Sequence, residues 1–110
     1  MDVIEERYIS NDQGDWRIRL VPDDDTNPTE YECYVDGDIR AWRSDEWRYV
    51  GVIVNDENTG TSSSVWAVEY GRLPDAAPIG MDQIIEEYFD DLRADVAAEL
   101  VERAAELAAQ

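Results

Sequence analysis

Four carboxylates fall within six residues in the stretch EEYFDD, positions 86–91. On a helix, Glu86 with Asp90 and Glu87 with Asp91 lie one turn apart and face the same side. Oxygen ligands at that spacing suit a hard cation such as Mg²⁺ or Mn²⁺, which requires no histidine. The same four groups also suit two other purposes. They can be the solvated side of an ordinary amphipathic helix, or they can present negative charge to a basic partner.

The remaining chemistry narrows the choice. The chain of 110 residues has no His, so the commonest general base is missing. Cys33 is the single cysteine; it has no imidazole to activate it, and its place in YECYV predicts a small buried residue on a strand. Ser62, Ser63 and Ser64 sit together in what reads as a loop, outside any G-x-S-x-G elbow, and no glycine-rich phosphate loop is present. Calcium loops fail on register. Counting from Asp23 places Pro28 and Tyr34 where Gly and Glu belong, and counting from Asn55 places Trp66 at the Glu position. EEYFDD resembles the E-E-x-x-D/E motif of helical nucleotide pyrophosphohydrolases. That resemblance implies a Mg²⁺-dependent hydrolase, but those enzymes draw carboxylates from at least two facing helices and this sequence offers one. The expectation is a non-enzymatic protein with no catalytic residues, cofactor or metal.

Charge is the outstanding feature. Asp and Glu total 27 against nine Arg and no Lys, a formal net of −18. Residues 81–110 carry nine acids and two Arg, and further acids cluster at 23–25, 36–38, 45–46 and 56–57. Phosphate contacts need basic side chains, so direct binding to nucleic acid or to an anionic membrane is not expected. A macromolecular partner would be basic. The candidate partner-binding residues are Asp23, Asp24, Asp25, Glu87, Asp90, Asp91, Asp95 and Glu99. Small DNA mimics, whose carboxylates stand in for phosphates in the basic cleft of a nucleic-acid-binding protein, have this composition. A GC-rich or halophilic origin is the bland alternative, since either yields an acidic, Lys-poor surface without a partner.

The elements that position these groups follow from hydrophobic period. Residues 1–71 read as short strands. Val3–Ser10 is followed by DWRIRLV, with Trp16, Ile18 and Leu20 on one face and Arg17, Arg19 and Val21 on the other. YECYVDGDIRAW predicts a hairpin turning at Asp36-Gly37. WRYVGVIV (47–54) predicts a central strand, and SVWAVEY (64–70) its antiparallel neighbour. Trp16, Trp42, Trp47 and Trp66 all fall on these strands and are expected in the core. Pro and Gly mark 72–80 as a connector. From Met81 the period changes to about 3.6, with Ile85, Tyr88, Phe89, Leu92, Val96, Leu100 and Leu107 on one stripe and Asp82 in its first turn. The expected fold is α+β in one domain, 1–110: an antiparallel sheet of five or six strands, then one long amphipathic helix over 81–110. The Ala/Leu stripe of 97–108 overhangs the sheet or pairs with another chain, so a homodimer through this helix is the alternative reading. One cysteine, no leader-like start and no apolar run of membrane-spanning length point to the cytoplasm.

The pair of runs Trp47–Val54 and Ser64–Tyr70 resembles small proteins of actinobacteria and their phages, which carry an x-W-x-[FY]-V-G-V-x-V strand, a short loop and a S-x-W-x-[VI]-E-[YD] strand. Trp47, Tyr49, Val50, Gly51, Val52 and Val54 match the first; Ser64, Trp66, Val68 and Glu69 match the second. The resemblance covers about thirty residues. It implies a GC-rich genome or mobile element, with a host cytoplasm as the setting if phage-borne, and carries over no activity or functional residue.

Overall fold

A computed structural model describes residues 2–109. Four strands form one antiparallel sheet in the order β1-β2-β3-β4: β1 (Glu5–Asn11), β2 (Gly14–Pro22), β3 (Trp47–Asp56) and β4 (Ser62–Gly71). Four strands replace the expected five or six, because 31–43 is not a hairpin. Asp36–Arg43 forms a helix, α1, with acids Asp36 and Asp38 in its first turn and Arg40 and Arg43 in its last, matching the helix dipole at both ends. Asp38 accepts from the backbone N–H of Val35 at 3.2 Å and closes the first turn. Trp42 therefore lies on a helix rather than a strand. Cys33 lies in an exposed turn rather than a buried strand. Ser62, Ser63 and Ser64 belong to β4, not to the preceding loop.

Alternation along β2 and β3 sends Trp16, Ile18, Leu20, Val50, Val52 and Val54 to one face, all buried. The C-terminal helix covers that face. It is α-helical over Met81–Ile84, widens to a π-helical turn over Ile85–Phe89, and is α-helical again over Asp90–Ala108. The wide turn inserts a five-residue step, so Ile84 and Phe89 both reach the sheet, 1% and 6% exposed. Leu92 and Val96 follow at ordinary spacing and complete the core with Met81. Trp16 meets Phe89 edge-on at 6.3 Å between ring centroids. The stripe ends near Leu100. Val101 and Leu107 are 71% and 70% exposed, so the last turns run past the sheet and lengthen the molecule to 55 × 27 × 23 Å.

The opposite face is half covered. The excursion from Asp23 to Glu46 folds over Trp47 and Tyr49, and Trp47 donates Nε1–H to the carbonyl of Asp38 at 2.9 Å. Tyr34 stacks on Trp47 at 5.3 Å. A bulge in β4 sets two residues, Trp66 and Ala67, against Gly51. Ala67 takes a left-handed φ of 59° there, and the chain phase flips. Val65 and Val68 consequently pack toward the helix, while Trp66 turns out to the other face, 45% exposed. A Cβ at Gly51 would lie 2.3 Å from the Trp66 ring, so glycine is what lets the indole lie across β3.

Candidate functional site

The C-terminal helix buries one stripe and turns its remaining surface to water. Glu86, Glu87, Asp90, Asp91, Asp95, Glu102 and Glu106 are exposed, and Glu99 is partly so. These eight carboxylates span about 30 Å at 1.5 Å per residue. Their mean spacing is about 4 Å along the axis, close to the ~3.4 Å per phosphate in one strand of duplex DNA. Two arginines interrupt the row. Arg93 Nε lies 4.0 Å from Asp90, and Arg103 bonds Glu99 at 2.8 Å while also donating to Thr61 in the β3–β4 loop at 3.0 Å. Asp95 accepts a long hydrogen bond from Ser63 at 3.4 Å. Arg7 on β1 pairs with Asp82 at the start of the helix. Glu86, Glu87, Asp91, Glu102 and Glu106 have no ion pair among the described residues.

The residues expected at 23–25 separate into two kinds. Asp23 accepts from the Ala67 N–H at 2.9 Å, from the Thr26 hydroxyl at 2.8 Å and from the Asp25 N–H at 3.3 Å. It ties the loop after β2 to the bulge of β4, which makes it a structural group. Asp24 and Asp25 stand free in water, with Arg48 3.9 Å from Asp24. A groove of about 350 Å³ beside them mixes Asp23, Asp24 and Asp45 with Arg43 and Arg48, so its charges largely cancel. Of the candidate residues, Glu87, Asp90, Asp91 and Asp95 are exposed on the helix and Glu99 is partly so, Asp24 and Asp25 are exposed on a separate loop, and Asp23 serves the fold.

Carboxylates do not gather. Among the described residues no three His, Cys, Asp or Glu side chains come together in a group that could hold a metal ion. Glu86, Glu87, Asp90 and Asp91 fan out along one helix surface.

Two features were not legible as sites. The first is a cleft of about 470 Å³ at the β4 edge, where Val68 and Glu69 meet Ile79 of the connector and Ile84, Glu87 and Tyr88 of the helix. Tyr34 closes one side. Its hydroxyl donates to Glu69 Oε2 at 2.5 Å, and Tyr49 donates to the Tyr34 oxygen at 2.9 Å. Burial first, and then the bond to Glu69, push the Tyr34 phenol far above its usual pKa. Burial likewise raises Tyr49 and Tyr88, the latter also through Glu87 and Glu69. The second is the uncovered sheet face. The register sets Tyr8 beside Arg17 and Arg19 beside Ile53, with Arg17 Nε 2.9 Å from Glu57. No helix of the described residues is long and apolar enough to cross a membrane. Comparison with protein-family models, curated proteins and solved structures finds no match to this chain.

Proposed function

We infer that the protein is a small acidic, non-enzymatic binding protein whose C-terminal helix occupies a basic surface of a nucleic-acid-binding protein, in the manner of a DNA mimic. The observation that carries this reading is the row of eight carboxylates over about 30 Å of a helix docked on the sheet. Packing of the apolar stripe as far as Leu100 fixes the backbone that bears the six acids from Glu86 to Glu99, so these need not be ordered at the moment of binding, while Glu102 and Glu106 extend the row past the sheet. Like charges at positions 87, 91, 95 and 99 oppose helix formation by a few tenths of a kcal/mol per pair. A sequence selected for stability alone would mix Lys or Arg into that face, and only Arg93 and Arg103 occur there. Asp24 and Asp25 lie on a separate element and form at most a second patch. The target we propose is a host defence, restriction, CRISPR or regulatory protein; the resemblance of β3 and β4 to proteins of actinobacteria and their phages bears only on the setting, a host cytoplasm if phage-borne.

The test is capture from an actinobacterial lysate at low salt, with the wild type and a variant carrying Glu87→Gln, Asp91→Asn and Asp95→Asn. A single basic nucleic-acid-binding protein, retained by the wild type, lost by the variant and displaced by duplex DNA, supports the reading. Equal retention by both proteins overturns it.

A further inference from the structure

The cleft at the β4 edge differs from the groove beside residues 23–25 in that its charged lining residues are all acidic. Its volume of about 470 Å³ lies within the range of sites that enclose small ligands, ~300–1,000 Å³. Val68 and Ile84 supply an apolar floor, and Glu69 and Glu87 bring carboxylates from two different elements. The Tyr49–Tyr34–Glu69 chain of hydrogen bonds fixes the Glu69 carboxylate in place. Tyr88 adds an aromatic ring to the lining, and Tyr34, already stacked on Trp47, closes the side. An apolar floor with negative walls and an aromatic lining is complementary to a cation on an alkyl stem. Between the two natural side chains of that kind, guanidinium fits better. It is planar, stacks on aromatic rings and offers five N–H donors, whereas an ammonium is compact and strongly hydrated.

We propose that this cleft is an anchoring subsite that takes one arginine side chain, with Glu69 and Glu87 as the paired acceptors, Tyr88 as the stacking ring and Tyr34 as the group that holds Glu69. That the arginine belongs to the partner protein rests on the reading of the helix row given above; occupancy of the cleft by the cation does not. In this arrangement the row supplies long-range attraction and the cleft supplies registry, since a side chain seated at Glu87 fixes where the partner meets the rest of the row.

The experiment is a titration of the isolated, ¹⁵N-labelled protein with Nα-acetyl-arginine amide, followed by NMR. Saturable shifts confined to residues 67–69, 78–79 and 83–88, with a Kd in the millimolar range usual for so small a ligand, are expected. The neutral isostere Nα-acetyl-citrulline amide should give none. Glu69→Gln and Glu87→Gln should each weaken binding about fivefold or more, whereas Glu102→Gln and Glu106→Gln, farther along the same helix, should leave it unchanged. Glu87 is exposed, so its variant keeps the test valid if Glu69→Gln disturbs the fold. Shifts spread evenly over 86–106, equal shifts with citrulline, or unchanged binding in Glu87→Gln would each overturn the proposal. Arginine binding in the cleft, together with undiminished lysate capture by a variant neutralised at Asp91, Asp95, Glu102 and Glu106 but keeping Glu87, would leave the subsite standing and remove the DNA-mimic reading.

Discussion

Gly51 stands in the middle of the most hydrophobic strand, where glycine ordinarily weakens a sheet. Its role can be tested through Trp66. A methyl group at position 51 would lie 2.3 Å from the indole, so Gly51→Ala must push the ring off β3. Trp66 is 45% exposed, so about 100 Å² of the ~200 Å² a large aromatic buries is at stake. At ~25 cal/mol per Å² that is about 2.5 kcal/mol, and about 2 kcal/mol after allowing for burial in the unfolded chain. Alanine offsets ~0.5–1 kcal/mol of this through its lower backbone entropy cost. Gly51→Ala should therefore destabilise the wild type by about 1–1.5 kcal/mol, several degrees in Tm. In a Trp66→Ala background the same substitution should be neutral or stabilising, giving a coupling of about 2 kcal/mol by urea unfolding of the four proteins. Equal destabilisation in both backgrounds would refute the reasoning, because glycine would then be serving the backbone and not the ring.

Four further outcomes follow from the same structure. Ala67→Gly should stabilise the fold by up to about 1 kcal/mol in thermal melts, since glycine adopts the left-handed φ of 59° without the Cβ penalty. Asp23→Ala should cost about 2 kcal/mol through its lost hydrogen bonds, while Asp24→Ala and Asp25→Ala stay within about 0.5 kcal/mol; chemical denaturation of the three separates the structural acid from the free ones. Burial raises the pKa of Tyr34, Tyr49, Tyr70 and Tyr88 in the folded state. Their contribution is thus complete below the unfolded tyrosine value of ~10 and is lost as pH rises above it, because the unfolded chain then ionises more readily. The urea midpoint should fall between pH 9 and 11, and fall less in Tyr34→Phe. The variant with Glu87→Gln, Asp91→Asn and Asp95→Asn should be about 0.5–1 kcal/mol more stable than the wild type at low salt, because three like-charge pairs are removed, and the difference should shrink as salt is added.

Alternation announced β2, whose Trp16, Ile18 and Leu20 are buried as their spacing requires, and a near-continuous hydrophobic run announced β3, central in the sheet and buried on both faces. The helix was equally plain from its period and its Pro/Gly connector. The misreadings have local causes. Over eight residues α1 is too short to display a 3.6-residue period, and Asp36-Gly37 is as suited to a hairpin turn as to a first helical turn. The acids at its start and arginines at its end were the available signal. Trp66 falls on a predicted strand and is for that reason expected in the core; the bulge at Trp66–Ala67 inserts a residue and turns the ring to the other face, which no period reveals. The same limit applies to the acids. Composition disclosed the charge of the helix, but only the fold separates Asp23, bonded to Ala67, from Asp91 in open water, or brings Glu69 and Glu87 to one cleft from positions 18 residues apart.

The most direct test of the carboxylate row as the binding surface is the salt dependence of the complex with the captured partner. Binding measured from about 50 to 300 mM NaCl should weaken steeply and near-linearly in log–log form, as it does when charged groups release counterions. The slope should become shallower when Glu87, Asp91 and Asp95 are neutralised. A dissociation constant that stays level across that range, or a slope identical in the two proteins, would contradict the account and return the row to plain solvation.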